Sequence, residues 1–203
     1  MSVPDHYFSP DPAAPKSLRA IRVPIAGRER EMVTATGVFS GDRLDAGTEV
    51  LLAAVPAPPE SGELLDLGCG WGPIAATLAT RSPDARVWAV DVNARALSLV
   101  ERNAELLSLP NIVPATPDAV PEQLRFATIW SNPPIRIGKP QLHALLEAWI
   151  PRLEPGGTAW LVVQKHLGAD SLLRWLAERF EGFDVERADS KRTYRIIAVT
   201  APD

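Results

Sequence analysis

The chain has 203 residues, 46% of them hydrophobic and 23% charged, a composition typical of one soluble globular domain with a full core. Its formal net charge of -4 argues against a protein that holds nucleic acid through its overall field, so any contact with RNA must be local. Cys69 is the only cysteine, which excludes an internal disulfide or a zinc cluster and predicts a reducing, cytoplasmic location.

The amino-terminal part of the sequence indicates neither secretion nor membrane insertion. It has no basic segment followed by an apolar run, and no apolar stretch approaches the roughly 20 residues that cross a bilayer. After a proline-rich lead at residues 4–15, short strands are predicted at residues 21–25 and 30–38. Residues 45–52, an acidic start followed by an apolar face, predict a helix.

Two segments of the chain differ in pattern. We interpret residues 1–61 as an amino-terminal β flap with a lead-in helix, and residues 62–203 as the core of one structural domain. In the core, short apolar runs alternate with helix-length amphipathic segments, which predicts a parallel sheet covered by crossover helices. The runs lie at residues 64–67, 87–90, 112–115, 128–131 and 159–163, and the helical segments at 74–80, 94–107, 141–153 and 171–180.

The carboxyl-terminal pattern is different. The segments at residues 183–187 and 194–200 are both strand-like, and only residues 189–193 are left to join them. They must be antiparallel neighbours, since a parallel crossover needs a dozen or more residues.

The clearest functional motif is Leu65-Asp66-Leu67-Gly68-Cys69-Gly70-Trp71-Gly72-Pro73, where a strand passes into a helix. Its three glycines, Gly68, Gly70 and Gly72, permit a tight turn and a close approach of the backbone to a ligand. Asp91 follows the second strand of the core, where a carboxylate reaches ribose hydroxyls in doubly wound folds. This pattern predicts a site for a nucleoside-containing ligand.

The motif favours S-adenosylmethionine over a dinucleotide, which remains the alternative. Its spacing is not G-x-G-x-x-G, and Asp66 lies two residues before Gly68. A pyrophosphate needs backbone N–H groups and a helix dipole without a nearby anion. Asp66 could instead meet the positively charged methionine end of S-adenosylmethionine, directly or through water.

Three further residues are assigned to the cofactor site. Val92 belongs to it as the neighbour of Asp91. Cys69 is interpreted as a small buried residue beside the cofactor and not as a nucleophile, since no basic group flanks it. Asp118 follows the third predicted strand of the core and is either a ligand of the adenine amino group or a solvated loop aspartate.

A second motif, Ser131-Asn132-Pro133-Pro134-Ile135, follows the fourth predicted strand of the core and should face the same crevice. Its prolines fix the backbone and remove two N–H donors, leaving the Asn132 amide oxygen and a carbonyl to accept from an NH2 group. A conjugated amino nitrogen is a poor nucleophile, and two acceptors can hold its N–H bonds so that the lone pair points at the sulfonium methyl. We therefore predict that Asn132, Pro133, Pro134 and Ile135 are catalytic and that Asn132 also contacts the cofactor. The alternative is a rigid proline turn.

Local positive charge supplies the predicted RNA contacts. Arg136 and Lys139 lie beside the acceptor motif, and Arg28 and Arg30 lie on the flap. The alternative for these arginines is a solvated basic surface. No metal site is predicted, because the three histidines share no metal-ligand spacing.

At these motifs the chain resembles the ribosomal small-subunit methyltransferase family, whose members methylate guanine N2 in rRNA, and especially its compact single-domain relatives. The similar blocks are Gly37-Val38-Phe39-Ser40, Asp45-Ala46-Gly47-Thr48, Leu65 to Pro73, Val90-Asp91-Val92-Asn93, Ser131 to Lys139 and Gln164-Lys165-His166-Leu167-Gly168-Ala169-Asp170-Ser171.

The resemblance implies a class I methyltransferase fold, Rossmann-like, with a seven-stranded mostly parallel sheet, an antiparallel last strand and flanking helices. It also implies S-adenosylmethionine as cofactor, rRNA or a pre-ribosomal particle as partner, and Phe39 over the cofactor pocket. The chain departs from the family in two ways. It is too short for the additional amino-terminal domain that assists substrate binding, and Ile135 stands where many amino-group methyltransferases place an aromatic residue.

The leading functional hypothesis is an rRNA guanine-N2 methyltransferase. The nearest alternative is methylation of another amino group, in adenine, in a protein glutamine or in a small molecule, and Ile135 makes adenine N6 and glutamine N5 less favoured. The other is a noncatalytic RNA- or protein-binding domain that keeps the fold, against which the intact set of Asp66, Asp91 and Asn132 argues.

Overall fold

The computed structural model describes residues 17–203, and the proline-rich lead at residues 4–15 lies outside the described residues. Strands β1 (Leu18–Ile25) and β2 (Arg28–Ala35) form a separate antiparallel hairpin. Ala26 and Gly27 make its turn with φ values of 47° and 79°, as expected for a tight two-residue hairpin loop. β2 ends at Ala35, where its pairing with β1 stops, and not at residue 38 as predicted.

The main sheet has seven strands in the order β5-β4-β3-β6-β7-β9-β8. Within the described residues, β9 is antiparallel to β7 and β8, and every other pair of neighbouring strands in this sheet is parallel. The predicted fold class is therefore confirmed. The strands are β3 (Ser61–Leu67), β4 (Asp84–Val90), β5 (Ile112–Ala115), β6 (Phe126–Ser131), β7 (Leu153–Gln164), β8 (Asp184–Lys191) and β9 (Tyr194–Thr200).

Helices cover both faces of this sheet, and each face has its own cluster of apolar side chains beneath the helices. Leu51, Leu78 and Val100 belong to the cluster on one face, and Leu146 and Leu176 to the cluster on the other. The helices of the first face are α1 (Ala46–Ala54), α2 (Pro73–Arg81) and α3 (Ala94–Leu107), and those of the second are α4 (Lys139–Trp149) and α5 (Ala169–Arg179). The loops at the carboxyl ends of the parallel strands lie together along one edge of the sheet.

The final hairpin is tighter than the sequence predicted. β8 continues to Lys191, so only Arg192 and Thr193 join it to β9. β8 is an edge strand with nearly every residue exposed. Its second half therefore lacks the apolar pattern by which strands are predicted.

Asn103 of α3 holds the amino-terminal hairpin against the core. Its buried side chain accepts from the Val33 N–H at 2.7 Å and donates to the Val33 carbonyl at 2.8 Å and the Trp71 carbonyl at 2.9 Å. These bonds tie β2, α3 and the glycine motif together. The predicted flap thus packs directly on the core.

The division of the chain at residues 61 and 62 stays a prediction, although β3 begins at Ser61. In the part of the chain that the structure describes, no helix combines the length and apolarity needed to cross a membrane.

Candidate active site

A cavity of about 470 Å³ opens where the carboxyl ends of β3, β4 and β6 meet, which is a size typical of small-molecule sites. Several of the sequence-predicted residues line it. They include Phe39, Gly68, Gly70, Asp91, Val92 and Asn132.

The glycine turn after β3 is fixed by neighbouring backbone. The Gly68 N–H donates to the Val90 carbonyl at 2.8 Å, and the Gly70 N–H donates to Asp91 Oδ2 at 2.9 Å. Both glycines have positive φ, 78° and 55°, and a Cβ at either would meet no atom within 4 Å. Glycine is thus favoured here by backbone conformation, and the space beside it is left for a ligand.

Asp91 is held in place by the same turn. Its Oδ2 accepts from Gly70 and its Oδ1 accepts from the Asn93 N–H at 2.9 Å. Burial raises the pKa of the Asp91 carboxyl, and hydrogen bonds from Asn93, Gly70 and Val92 oppose that rise. Each oxygen keeps lone-pair capacity for a further donor in the cavity.

Asp66 lies beneath the turn and does not line the cavity. Its side chain is fully buried, with Oδ2 accepting from the Ala75 N–H at the start of α2 at 2.9 Å. Burial raises its pKa to about 8. Contact of Asp66 with the methionine end of S-adenosylmethionine, directly or through water, stays a prediction.

The Asp66→Asn variant should lose a pH dependence of folding stability. The folded state favours the protonated carboxyl, with a pKa of about 8 against an ordinary value of 3.8. The stabilisation is present below about pH 4 and is lost as pH rises toward 8, because the buried group must then ionise. Asparagine keeps the acceptor for Ala75 but cannot ionise, so the wild type should lose stability relative to the variant across this range. Urea unfolding at a series of pH values measures this, and parallel profiles would contradict the assignment.

Three other predicted residues lie around the main cavity without lining it. Cys69 is buried, and burial followed by the charges of Asp91 and Asp66 raises its thiol pKa. Gly72 caps α2, where a Cβ would lie 3.1 Å from Val100. Asp118 is exposed, and a hydrogen bond from Thr116 lowers its pKa.

Asn132 is oriented by the amino-terminal end of α1. Its Nδ2 donates to Asp45 Oδ1 at 2.7 Å and to Thr48 Oγ1 at 3.1 Å. A carboxylate only accepts, so the amide NH2 group must face Asp45 and the amide oxygen must face the other way. Ser131 fixes the strand end by donating to the Leu67 carbonyl at 2.7 Å.

Asp45 was not predicted as a site residue. Its Oδ1 also accepts from the N–H groups of Gly47 and Thr48, at 2.8 and 3.2 Å, and so caps α1. One oxygen thereby holds the helix start and Asn132 together, and Asp45 itself lines the cavity. The signal was present as an aspartate before an apolar helix, a standard N-cap pattern, but nothing local connected it to Asn132.

The rest of the acceptor motif lies between the apolar core and the cavity. The Pro133 carbonyl accepts from the Ile135 N–H at 2.8 Å. Ile135 packs against the apolar cluster beneath α4 and α5. Ile135, Pro133 and Pro134 all line the cavity. Arg136 lines the cavity too.

The remaining predicted RNA contacts lie farther out. Lys139 is exposed and donates to Ser171 Oγ at 3.5 Å. Arg28 and Arg30 are exposed on the hairpin and do not line the cavity.

Among the residues that the structure describes, two aromatic residues line the cavity. Phe39 is 38% exposed, and its loop is tied down by bonds from Trp71 to the Ser40 carbonyl and from Asn93 to the Gly37 carbonyl.

Tyr194, at the start of β9, was not predicted. Its ring lies so close to Gly47 that a Cβ there would sit 3.0 Å from Cε1. Burial, then the charges of Asp45 and Glu49, raises its phenol pKa. Tyr194 thus packs beside the start of α1 and lines the cavity.

Within residues 17–203, no group of three or more His, Cys, Asp or Glu side chains is arranged to hold a metal ion.

The strand order, the reversed β9, the glycine turn with Asp91 and the Asn-Pro-Pro loop define a class I methyltransferase. A family model described as methyltransferase small domain matches residues 29–198. The chain therefore belongs to the methyltransferase small domain family.

Similar proteins agree with this membership. The chain is 34% identical over 196 residues to the protein YbxB of Bacillus subtilis, covering 95% of this chain and 96% of YbxB. It is 34% identical over 167 residues to ribosomal RNA small subunit methyltransferase C of Aeromonas hydrophila, covering 80% of this chain and 47% of that protein. The chain thus spans about half the length of the curated rRNA methyltransferases that it matches.

A solved structure is also similar, the 16S rRNA N2 G1207 methyltransferase (RsmC) of T. thermophilus in complex with AdoMet and guanosine. It has a TM-score of 0.77 and 26% identity, over 94% of this chain and 52% of that chain. The predicted family resemblance and the predicted cofactor are confirmed, and the chain is an S-adenosylmethionine-dependent methyltransferase.

Proposed function

We propose that this chain transfers the methyl group of S-adenosylmethionine to the exocyclic N2 amino group of a guanine in rRNA. The observation that carries the proposal is the orientation of Asn132, whose NH2 group is bonded to Asp45 and Thr48 beside the cavity. The amide oxygen is thereby preorganised to accept from an amino group. The name of the similar T. thermophilus structure, an rRNA N2 G1207 methyltransferase, supports guanine N2 as that group.

The cofactor is proposed to lie along the turn after β3. Asp91 accepts from the ribose hydroxyls, and Gly68 and Gly70 allow the close approach. Val92, an apolar side chain that is 44% exposed at the cavity, packs against the adenine. Phe39 covers the site.

Asp91→Ala should weaken cofactor binding by about one to two decades. The variant loses one or two ribose hydrogen bonds, on the order of 1–3 kcal/mol. Titration calorimetry with S-adenosylmethionine measures the affinity. Asp84→Ala, an exposed change at the opposite end of β4, is the matched control and should bind as the wild type does. Equal affinity in Asp91→Ala would remove Asp91 as the ribose ligand.

The acceptor base is proposed to lie between the Asn-Pro-Pro loop and Tyr194. The Asn132 oxygen and the Pro133 carbonyl accept from the two N–H bonds, so that the nitrogen lone pair points at the sulfonium methyl. The nitrogen gains positive charge as the bond between the methyl group and the sulfonium sulfur breaks, and Asp45 and Asn132 stabilise that charge. The neutral thioether S-adenosylhomocysteine leaves, and the methylated nitrogen loses one proton to solvent. Tyr194 offers a flat aromatic surface, which the aliphatic side chain of Ile135 lacks.

Positive charge near the cavity is proposed to hold the RNA. Arg136 lines the cavity and Lys139 lies at the start of α4, while Arg28 and Arg30 contribute from the hairpin. Each phosphate contact adds to the salt dependence of binding.

A comparison of modified nucleosides in rRNA from cells with and without the protein tests the substrate. The expected result is the loss of one N2-methylguanosine in small-subunit rRNA. Two other results in cells without the protein would overturn the guanine assignment and leave the enzyme class standing. One is the loss of N6-methyladenosine from rRNA, and the other is unchanged rRNA together with the loss of methylation at a protein glutamine.

A further inference from the structure

We propose that Lys165, Lys191 and Arg192 form an RNA-binding surface, here called the cationic rim, beside the mouth of the cavity. This inference rests on the proposed function. The cationic rim would bind the phosphates of the RNA chain on either side of the acceptor base. Lys165 directly follows β7, Lys191 is the last residue of β8, and Arg192 lies in the β8–β9 turn.

The sheet topology brings these residues together. Lys191 pairs with Tyr194 in the final hairpin, and Tyr194 pairs with Gln164, the residue before Lys165. The Lys165 N–H also donates to the Thr193 carbonyl at 2.7 Å. Gln164 and Tyr194 line the cavity, so the cationic rim borders it directly.

The charge of the cationic rim is exposed. All three side chains are exposed, and none of the ion pairs formed within residues 17–203 involves them. Elsewhere in this part of the chain, Arg86, Arg179 and Arg187 are each paired with a carboxylate.

Arg192 occupies a backbone conformation that disfavours it. Its φ is 56°, in the left-handed region where glycine or asparagine is usual in a two-residue turn. A long cationic side chain kept at a strained position points to a function for that side chain.

The sign of charge changes from the cavity to the cationic rim. Asp45 lines the cavity, and burial, followed by the charges of Asp45 and Glu49, raises the pKa of Tyr194. An amino-bearing base therefore suits the interior and phosphates suit the cationic rim. Arg136 extends the cations along the edges of β6, β7, β9 and β8, which span about 14 Å at the usual strand spacing. An RNA strand with its base inserted fits this arrangement.

The test compares two triple variants for binding to protein-free small-subunit rRNA over a series of salt concentrations. Lys165→Ala, Lys191→Ala and Arg192→Ala together should lower the salt slope by about two units, at roughly 0.7 for each phosphate contact. The control, Arg81→Ala, Arg86→Ala and Arg125→Ala, removes the same charge from the opposite end of the strands and should leave the slope unchanged. Affinity for S-adenosylmethionine should stay at the wild-type value in both.

Arg192→Gly separates charge from conformation. Glycine relieves the left-handed backbone, so this variant should melt at a higher temperature while it binds RNA more weakly, whereas Arg192→Lys should keep RNA binding. If the wild type methylates rRNA and the rim triple variant keeps the full slope, or the control loses as much, the cationic rim is overturned and the proposed function stands. If the wild type methylates only an acceptor that is not RNA, the proposed function falls and the cationic rim with it.

Discussion

Replacing Asn132 with alanine is expected to lower the rate of methyl transfer by about two to three decades while affinity for S-adenosylmethionine stays near the wild-type value. The amide oxygen is an oriented acceptor, and its loss should cost roughly 3–4 kcal/mol in the transition state, as for deletion of an oxyanion-hole donor. Single-turnover transfer from labelled donor gives the rate, and calorimetry gives the affinity. Wild-type turnover in Asn132→Ala would contradict the mechanism.

Asn132→Asp is the sharper companion variant. A carboxylate keeps an acceptor at position 132, but it would stand where Nδ2 now lies 2.7 Å from Asp45 Oδ1. Two carboxylates this close must share a proton to coexist. Residual activity should therefore rise as pH falls, whereas Asn132→Ala should show no such recovery.

Replacing Asp45 with alanine is expected to lower the transfer rate by about one to two decades and the free energy of unfolding by about 1 kcal/mol. The rate falls because Asn132 loses a charge-assisted hydrogen bond of about 1.5–3 kcal/mol that orients it. The stability falls because α1 loses its N-cap.

Two other variants separate the effects of Asp45→Ala. Asp45→Asn can keep the cap, since asparagine is a good N-cap residue, but it removes the charge beside Asn132. It should retain stability and still lose activity. Thr48→Val removes the weaker contact to Asn132 at 3.1 Å and should lower the rate less. If Asp45→Ala keeps full activity while its free energy of unfolding falls, Asp45 has a purely structural role and does not orient Asn132 for catalysis.

Much of the fold could be predicted because the buried strands carry it in their own sequence. β3, β4 and β6 are short apolar runs followed by helical patterns, so their parallel arrangement follows from the alternation. The second half of β8 could not be predicted, since an exposed edge strand needs no apolar side chains. The end of β2 was misplaced because apolar residues continue into the loop beyond Ala35.

The candidate site divides in the same way. The glycine turn and Asp91 are local motifs at strand ends, and the structure brings them to one cavity with Asn132. The contact between Asn132 and Asp45 joins residues 87 positions apart, and no local pattern reports such a contact. Tyr194 is likewise a polar-tipped aromatic at the start of an apolar strand, indistinguishable in sequence from a core residue. Spacing does not reveal that the Asp66 carboxyl is buried beneath the turn, and its contact with the cofactor stays a prediction.

The most direct test of the proposed function is a single-turnover reaction of the purified chain with small-subunit rRNA and labelled S-adenosylmethionine, followed by nucleoside mass spectrometry. We expect label in N2-methylguanosine with the wild type and a rate lower by about two to three decades with Asn132→Ala. Label in N6-methyladenosine, or wild-type transfer by Asn132→Ala, would contradict it.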